Sequence, residues 1–174
     1  MDTTLPQAPI LVAVGANLPH PRHGPPLATC RAALAALEGA GVALVARSRW
    51  YRTAPVPVSD QPWYVNGVAA VETALDPRAL LALLHAVEAD FGRVRAERNA
   101  PRILDLDLLA HGDTVLPGPD LILPHPRLHE RAFVLLPLAD VAPRWRHPVL
   151  GRTVAEMIAA LPEGQETAVV EEGS

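Results

Sequence analysis

The sequence predicts an α/β fold of the α+β kind: a ferredoxin-like βαββαβ core, mainly antiparallel sheet, with helices on both faces. Three observations predict it. Short apolar or β-branched runs alternate with alanine- and leucine-rich stretches of helical period, in the order strand, helix, strand, strand, helix, strand. Glycines stop both helical stretches, and proline-rich segments separate the strands. The 174 residues, 49% of them hydrophobic, are enough for one core without staples.

Each element has its own warrant. Residues 10–14 (ILVAV) form a continuous apolar run ending at Gly15, the mark of a buried strand. Residues 17–26 are rich in proline and predict a loop. Residues 27–39 (LATCRAALAALEG) repeat apolar positions three and four apart and end at glycine, which predicts a helix. Residues 42–52 predict a strand whose exposed end lies at 48–52. Residues 53–62 carry three prolines and predict an irregular loop, and 63–73 (WYVNGVAAVET) a strand. Asp76-Pro77 is an N-cap followed by proline at the first helical position, opening a helix that runs to Phe91 and stops at Gly92. Residues 93–101 are charged and aperiodic. A strand follows at 103–110, a turn at 111–113 and a short partner strand at 114–116. Residues 128–138 and 153–161 read as helices, and the acidic end 163–174 as a loose tail. The whole chain, 1–174, reads as one domain.

Composition removes several mechanisms. All 15 basic residues are arginine. Without lysine there is no P-loop, no kinase strand lysine and no Schiff-base chemistry. A net charge of −4 argues against nucleic acid as a partner. The one cysteine, Cys30, excludes an internal disulfide and a cysteine zinc cluster, and its alanine-rich setting predicts burial. No apolar run approaches the roughly 18–20 residues of a membrane span, and residues 1–9 lack a signal-peptide pattern, so the expectation is a cytoplasmic protein.

Chemistry concentrates in three places. Asp105-Leu106-Asp107 puts two carboxylates on one strand face, about 6.6–7 Å apart, with Leu104, Leu106 and Leu108 on the other. Two carboxylates at that spacing suit a pair of cations, and all-oxygen ligation favours Mg2+ over zinc. Just before them stand Arg93, Arg95, Arg98 and Arg102, whose planar forks suit phosphate. Trp50, Tyr51, Trp63 and Tyr64 gather on two strand ends, and Tyr64 and Asn66 share a face, a ring and an amide for a flat heterocycle. The third place is residues 124–133 (PHPRLHERAF), where Pro126 keeps His125 out of any helix with His129; phosphate contacts from His125 and Arg131 suit the pattern better than a zinc pair. These features describe a polyphosphate clamp beside a heterocycle site, and they leave open an enzyme of phosphoryl chemistry, a two-metal phosphohydrolase among them, or a non-catalytic heterocycle or nucleotide binder.

The chain resembles the 6-hydroxymethyl-7,8-dihydropterin pyrophosphokinase family. The blocks that carry the resemblance are GANL at 15–18, YRTAP at 51–55, DQPWYVN at 60–66, GRVR at 92–95, PRILDLDLL at 101–109 and the stretch 124–133, spread over about three-quarters of the chain from residues 9 to 143. The resemblance implies transfer of the terminal diphosphate of ATP to a pterin hydroxymethyl group, with AMP released, in folate biosynthesis. It implies that Asp105 and Asp107 hold two Mg2+ ions, and that Arg93 and Arg102 stabilise the transferring diphosphate. Tyr64 and Phe133 would sandwich the pterin, Asn66 would bond its amide edge, and Thr53, Pro55 and Val56 would line its pocket. Arg95, Arg98, His125 and Arg131 would contact ATP, with Glu88 near the nucleotide. Partners are then small molecules, and the protein is expected to be a monomer.

Overall fold

The computed structural model describes residues 8–54, 62–92 and 103–170. Strand β1 (Ile10–Ala16) leads to helix α1 (Pro26–Gly39), then to β2 (Ala43–Arg47), β3 (Tyr51–Thr53) and β4 (Tyr64–Glu72). Helix α2 (Pro77–Asp90) precedes β5 (Asp105–His111), and the hairpin β6 (Leu116–Pro117) and β7 (Ile122–Leu123) follows. A 3-10 turn (Leu128–Glu130), α3 (Ala132–Val141), α4 (Val154–Ala159) and β8 (Thr167–Val169) complete the order.

The main sheet runs β5-β1-β4-β3-β8, with β2 also on β4, and every pairing is antiparallel. Segments β2 and β3 lie in succession along one edge of β4, so the core is compatible with the expected βαββαβ order. Two apolar layers flank it. On one face Val12, Val14, Leu104, Leu106 and Leu108 pack with Leu34 and Leu37 of α1 and Leu80 and Leu84 of α2. On the other, Leu11, Val68, Ala70 and Leu109 pack with Leu135 and Leu138 of α3 and Met157 of α4. Helices therefore cover both faces.

Local chemistry sets the helix limits. Asp76 Oδ1 accepts from Ala79 N at 2.8 Å, capping α2, and Pro77 needs no donor at that position. Gly92 leaves α2 at φ +91°, a conformation an L side chain resists. Thr153 and Glu156 form a capping box on α4. Cys30 is fully buried, and burial pushes its thiol up to about 12. Among the described residues, no helix is long and apolar enough to cross a membrane.

Four expectations are corrected. Residues 42–52 are not one strand with an exposed end: Ser48 Oγ accepts from Val68 N while Ser48 N donates to Val68 O, breaking the run and burying Ser48 and Trp50. The strand after the 111–113 turn is β6, at Leu116–Pro117, and among the described residues it pairs with β7 alone. The helix expected at 128–138 is a 3-10 turn, an extended Arg131 (ψ 115°), and then α3. The tail expected to be loose from residue 163 instead supplies β8 on the free edge of β3.

Candidate functional site

The antiparallel register decides which side chains meet. Residues directly opposite in such a ladder point to the same face. Asp105 pairs with Gly15, Gly15 with Asn66, and Asn66 with Tyr51. Asp107 pairs with Ala13, and Ala13 with Val68, so the second carboxylate sits one step along the same face. Thr53 pairs with Tyr64, two residues from Asn66. Asp105, Asp107, Asn66, Tyr64 and Thr53 thus share the α3 side of the sheet, while Leu106 and Leu108 are buried on the α1 and α2 side.

The row is packed to hold Asn66 still. Its Nδ2 donates to Thr53 Oγ1 at 2.6 Å, and the residue is 8% exposed. Gly15 has no side chain to stand in the way; a Cβ there would collide with Asn66 Oδ1. The neighbouring Asn17 is buried and its Nδ2 donates to Pro62 O at 3.2 Å, tying the end of β1 to the approach to β4. Of the aromatic group, Tyr64 is half-buried on this face and Trp63 is 38% exposed, with Arg52 Cζ 5.5 Å from its ring centroid. Trp50 fills the opposite core against Gly67.

Helix α3, which packs mainly on β4, brings the third cluster to the same place. Arg131 and Phe133 stand at its start, with Arg131 Cζ 5.3 Å from the Phe133 ring centroid. Burial pulls the Arg131 guanidinium below its ordinary value, while Asp107 and Asp105 act in the opposite direction; those couplings place it in the field of both carboxylates. His125 is fixed through its backbone, His125 N donating to Leu109 O of β5 at 2.8 Å. Burial, then Arg131, pushes its imidazole down to about 4, against the pull of Asp105. Its Nδ1 accepts from Arg127 N, which assigns the proton of the neutral ring to Nε2.

Glu88 is placed apart from these groups. It is 2% exposed on α2, and its Oε2 accepts from Leu106 N at 2.8 Å. Since β5 is the outer strand of the sheet, this bond anchors the open edge between the two aspartates. Through that contact Glu88 steadies the strand. Pro55, Val56, Arg93, Arg95, Arg98 and Arg102 lie outside the described residues.

Asp105 and Asp107 offer only oxygen donors, on one face and half-exposed, a set that suits Mg2+. Among the described residues, no group of three or more His, Cys, Asp or Glu could enclose a metal ion.

Sequence reasoning did not find the roles of Gly15 and Asn17 in seating Asn66 and the pocket edge. Gly15 carried a signal, as the small residue that ends a buried apolar run. Asn17 carried none beyond its place in the GANL block.

Comparison with known proteins bears on this geometry. Residues 11–143 match the family model described as 7,8-dihydro-6-hydroxymethylpterin-pyrophosphokinase (HPPK). A Pseudomonas aeruginosa protein named 2-amino-4-hydroxy-6-hydroxymethyldihydropteridine pyrophosphokinase is 47% identical over 159 residues, which span 90% of this chain and 94% of that one. A Synechocystis protein of the same name is 40% identical, over 85% of this chain and 73% of its own. Among solved structures, the Plasmodium falciparum HPPK-DHPS triple mutant with SDX-DHP superimposes with a TM-score of 0.66 at 15% identity, over 87% of this chain and 44% of that one, a likeness of fold.

Proposed function

The chain belongs to the 7,8-dihydro-6-hydroxymethylpterin-pyrophosphokinase family, and on that premise we propose that it transfers the terminal diphosphate of ATP to 6-hydroxymethyl-7,8-dihydropterin, giving AMP and the pterin diphosphate for folate biosynthesis. The observation that carries the reading is one row across the sheet: the Asp105 carboxylate and the Asn66 amide face the same way, separated only by Gly15. A heterocycle reader and a polyphosphate site stand side by side.

Tyr64 and Phe133 take the faces of the pterin and Asn66 its amide edge. Thr53 holds Asn66 in place, and the family resemblance assigns Pro55 and Val56 to pterin binding. Asp105 and Asp107 hold Mg2+, two ions by resemblance to the family, and bound Mg2+ supplies charge neutralisation for the polyphosphate. Arg131 and His125 bind phosphate oxygens, His125 as a neutral Nε2–H donor. Arg95 and Arg98 add nucleotide contacts, and Arg93 and Arg102 steady the transferring group.

The pterin hydroxyl attacks the β-phosphorus as the α,β-bridging oxygen departs with AMP, so the γ- and β-phosphoryl groups move together and the hydroxyl proton is released to water. Such a transfer asks the protein for in-line positioning and charge stabilisation more than for covalent chemistry. The aspartate strand, rigid because Glu88 and β1 hold its two edges, provides the positioning.

One assay tests the proposal. The protein is incubated with ATP, Mg2+ and 6-hydroxymethyl-7,8-dihydropterin, and nucleotide and pterin products are separated. Equal amounts of AMP and pterin diphosphate are expected. ADP or inorganic phosphate as the sole product would reject it in favour of a hydrolase.

A further inference from the structure

The segment 165–170 lies beyond the residues matched by the family model, yet it touches two walls of the site. After Gly164 turns the chain at φ +93°, Glu166 O accepts from Ala54 N at 3.1 Å, Thr167 pairs with Thr53, and Val170 N donates to Trp50 O at 2.8 Å. That is the β3 wall, whose Thr53 hydroxyl holds Asn66. Gln165, half-buried, reaches the other wall. Its Oε1 accepts from Ala132 N at 2.8 Å and its Nε2 donates to Glu130 O at 3.0 Å.

Those two bonds fall on either side of Arg131. Helix α3 begins without a side-chain cap of its own, because Arg131 at the cap position offers no acceptor. The Ala132 amide, on a residue only 4% exposed, therefore takes its partner from Gln165, 33 residues later. The carboxamide holds both peptide planes that flank Arg131, and with them its extended backbone (φ −117°, ψ 115°). The direction of the Arg131 side chain over Phe133, and toward Asp105 and Asp107, follows from that backbone.

We propose that Gln165 is a positioning residue of the pyrophosphokinase reaction: by clipping Glu130 O and Ala132 N it sets how Arg131 meets the nucleotide and how Phe133 meets the pterin. The assignment rests on the functional reading above for the roles of Arg131 and Phe133. One residue outside the matched region thus governs the geometry toward two substrates at once.

Full-length wild type, Gln165→Ala and Gln165→Glu are compared by steady-state kinetics with ATP and the pterin varied in turn, and by hydrogen exchange at the Ala132 amide. Gln165→Ala is expected to raise both KM values by about five- to tenfold, the scale of one or two lost hydrogen bonds, with kcat reduced less than about threefold. Exchange at Ala132 should quicken. Gln165→Glu keeps the acceptor for Ala132 N, and should recover part of both KM values. A residue that served folding alone would lower the active fraction, hence kcat, and leave both KM values in place. Active wild type with unchanged KM values in Gln165→Ala overturns the positioning role, whatever the exchange shows. Wild type that forms no pterin diphosphate overturns the functional reading itself.

Discussion

Asn66 Nδ2 donates to Thr53 Oγ1 at 2.6 Å while Asn66 Oδ1 lies where a side chain on Gly15 would have to be. The amide is held from both sides, by a hydroxyl on β3 and by the bare backbone of β1. Gly15→Ala inserts a methyl group into that contact. Overpacking of this kind costs about 1–3 kcal/mol, and here the amide is the group that must move. The pterin KM is expected to rise about tenfold or more with the ATP KM little changed, as read by kinetics with each substrate varied.

Asp105→Asn and Asp107→Asn test the carboxylate pair. Each is expected to lower kcat/KM on the order of 10³-fold by weakening the charge stabilisation that drives the transfer. Folding stability should stay within about 1 kcal/mol of wild type, because both side chains are half-exposed and like-charged. Thermal unfolding with and without Mg2+-ATP separates the two effects: the shift seen for wild type should shrink in both variants.

Tyr51 and Asp140 join β3 to α3. Tyr51 Oη donates to Asp140 Oδ2 at 2.9 Å, and the Arg49 guanidinium pairs with the same carboxylate at 3.0 Å. Burial pushes the Asp140 carboxyl up, but hydrogen bonds from Arg49 and Tyr51 hold it below its ordinary value. A carboxyl lowered on folding stabilises above the unfolded value and loses that stability as pH falls through the folded one. Tyr51→Phe is therefore expected to cost about 1 kcal/mol near neutrality. The gap to wild type should close below pH of about 4, measured by urea unfolding across pH.

His125 is half-buried, and that burial pushes its ring down to about 4. Its folded value lies below the unfolded one near 6.5, so unfolding takes up a proton between those values, and stability is lost as pH falls across that window. His125→Gln should flatten the stability profile between pH 6.5 and 4 in metal- and nucleotide-free protein. An NMR titration of His125 with its midpoint near 6.5 would contradict the assignment.

How much of this was legible in the sequence follows from distance along the chain. The strand β5 with its two-faced aspartate pattern, the caps of α2 and the grouping of Tyr64 with Asn66 are local periodicities, and they stand where the pattern put them. Glu88 enters from the sequence only through the family resemblance, as a residue near the nucleotide; that its carboxylate serves the amide of Leu106 depends on packing of α2 against an open strand edge. Strand β8 was missed because Thr167-Ala168-Val169 is three residues long and lies in an acidic stretch, after Glu166 and shortly before Glu171 and Glu172, and its pairing with β3 supplies the order that composition denies. Gln165 belongs to the same class. A glutamine beside a glycine has no local reason to cap a helix that begins 33 residues earlier.

The row that runs from Asp105 through Gly15 to Asn66 makes the sheet a ruler. Two strand spacings, together about 10 Å, separate the Asn66 position from the Asp105 position, and the β1–β4 and β1–β5 ladders fix that span. Under the proposed function, substrate choice then includes a test of length. A pterin carrying a hydroxyethyl arm in place of hydroxymethyl could occupy the ring pocket and still carry its oxygen past the point of attack, where a misplacement of about 1 Å is worth roughly 10² in rate. Discrimination between two such arms would be written in the hydrogen-bond ladder, with no side chain dedicated to it.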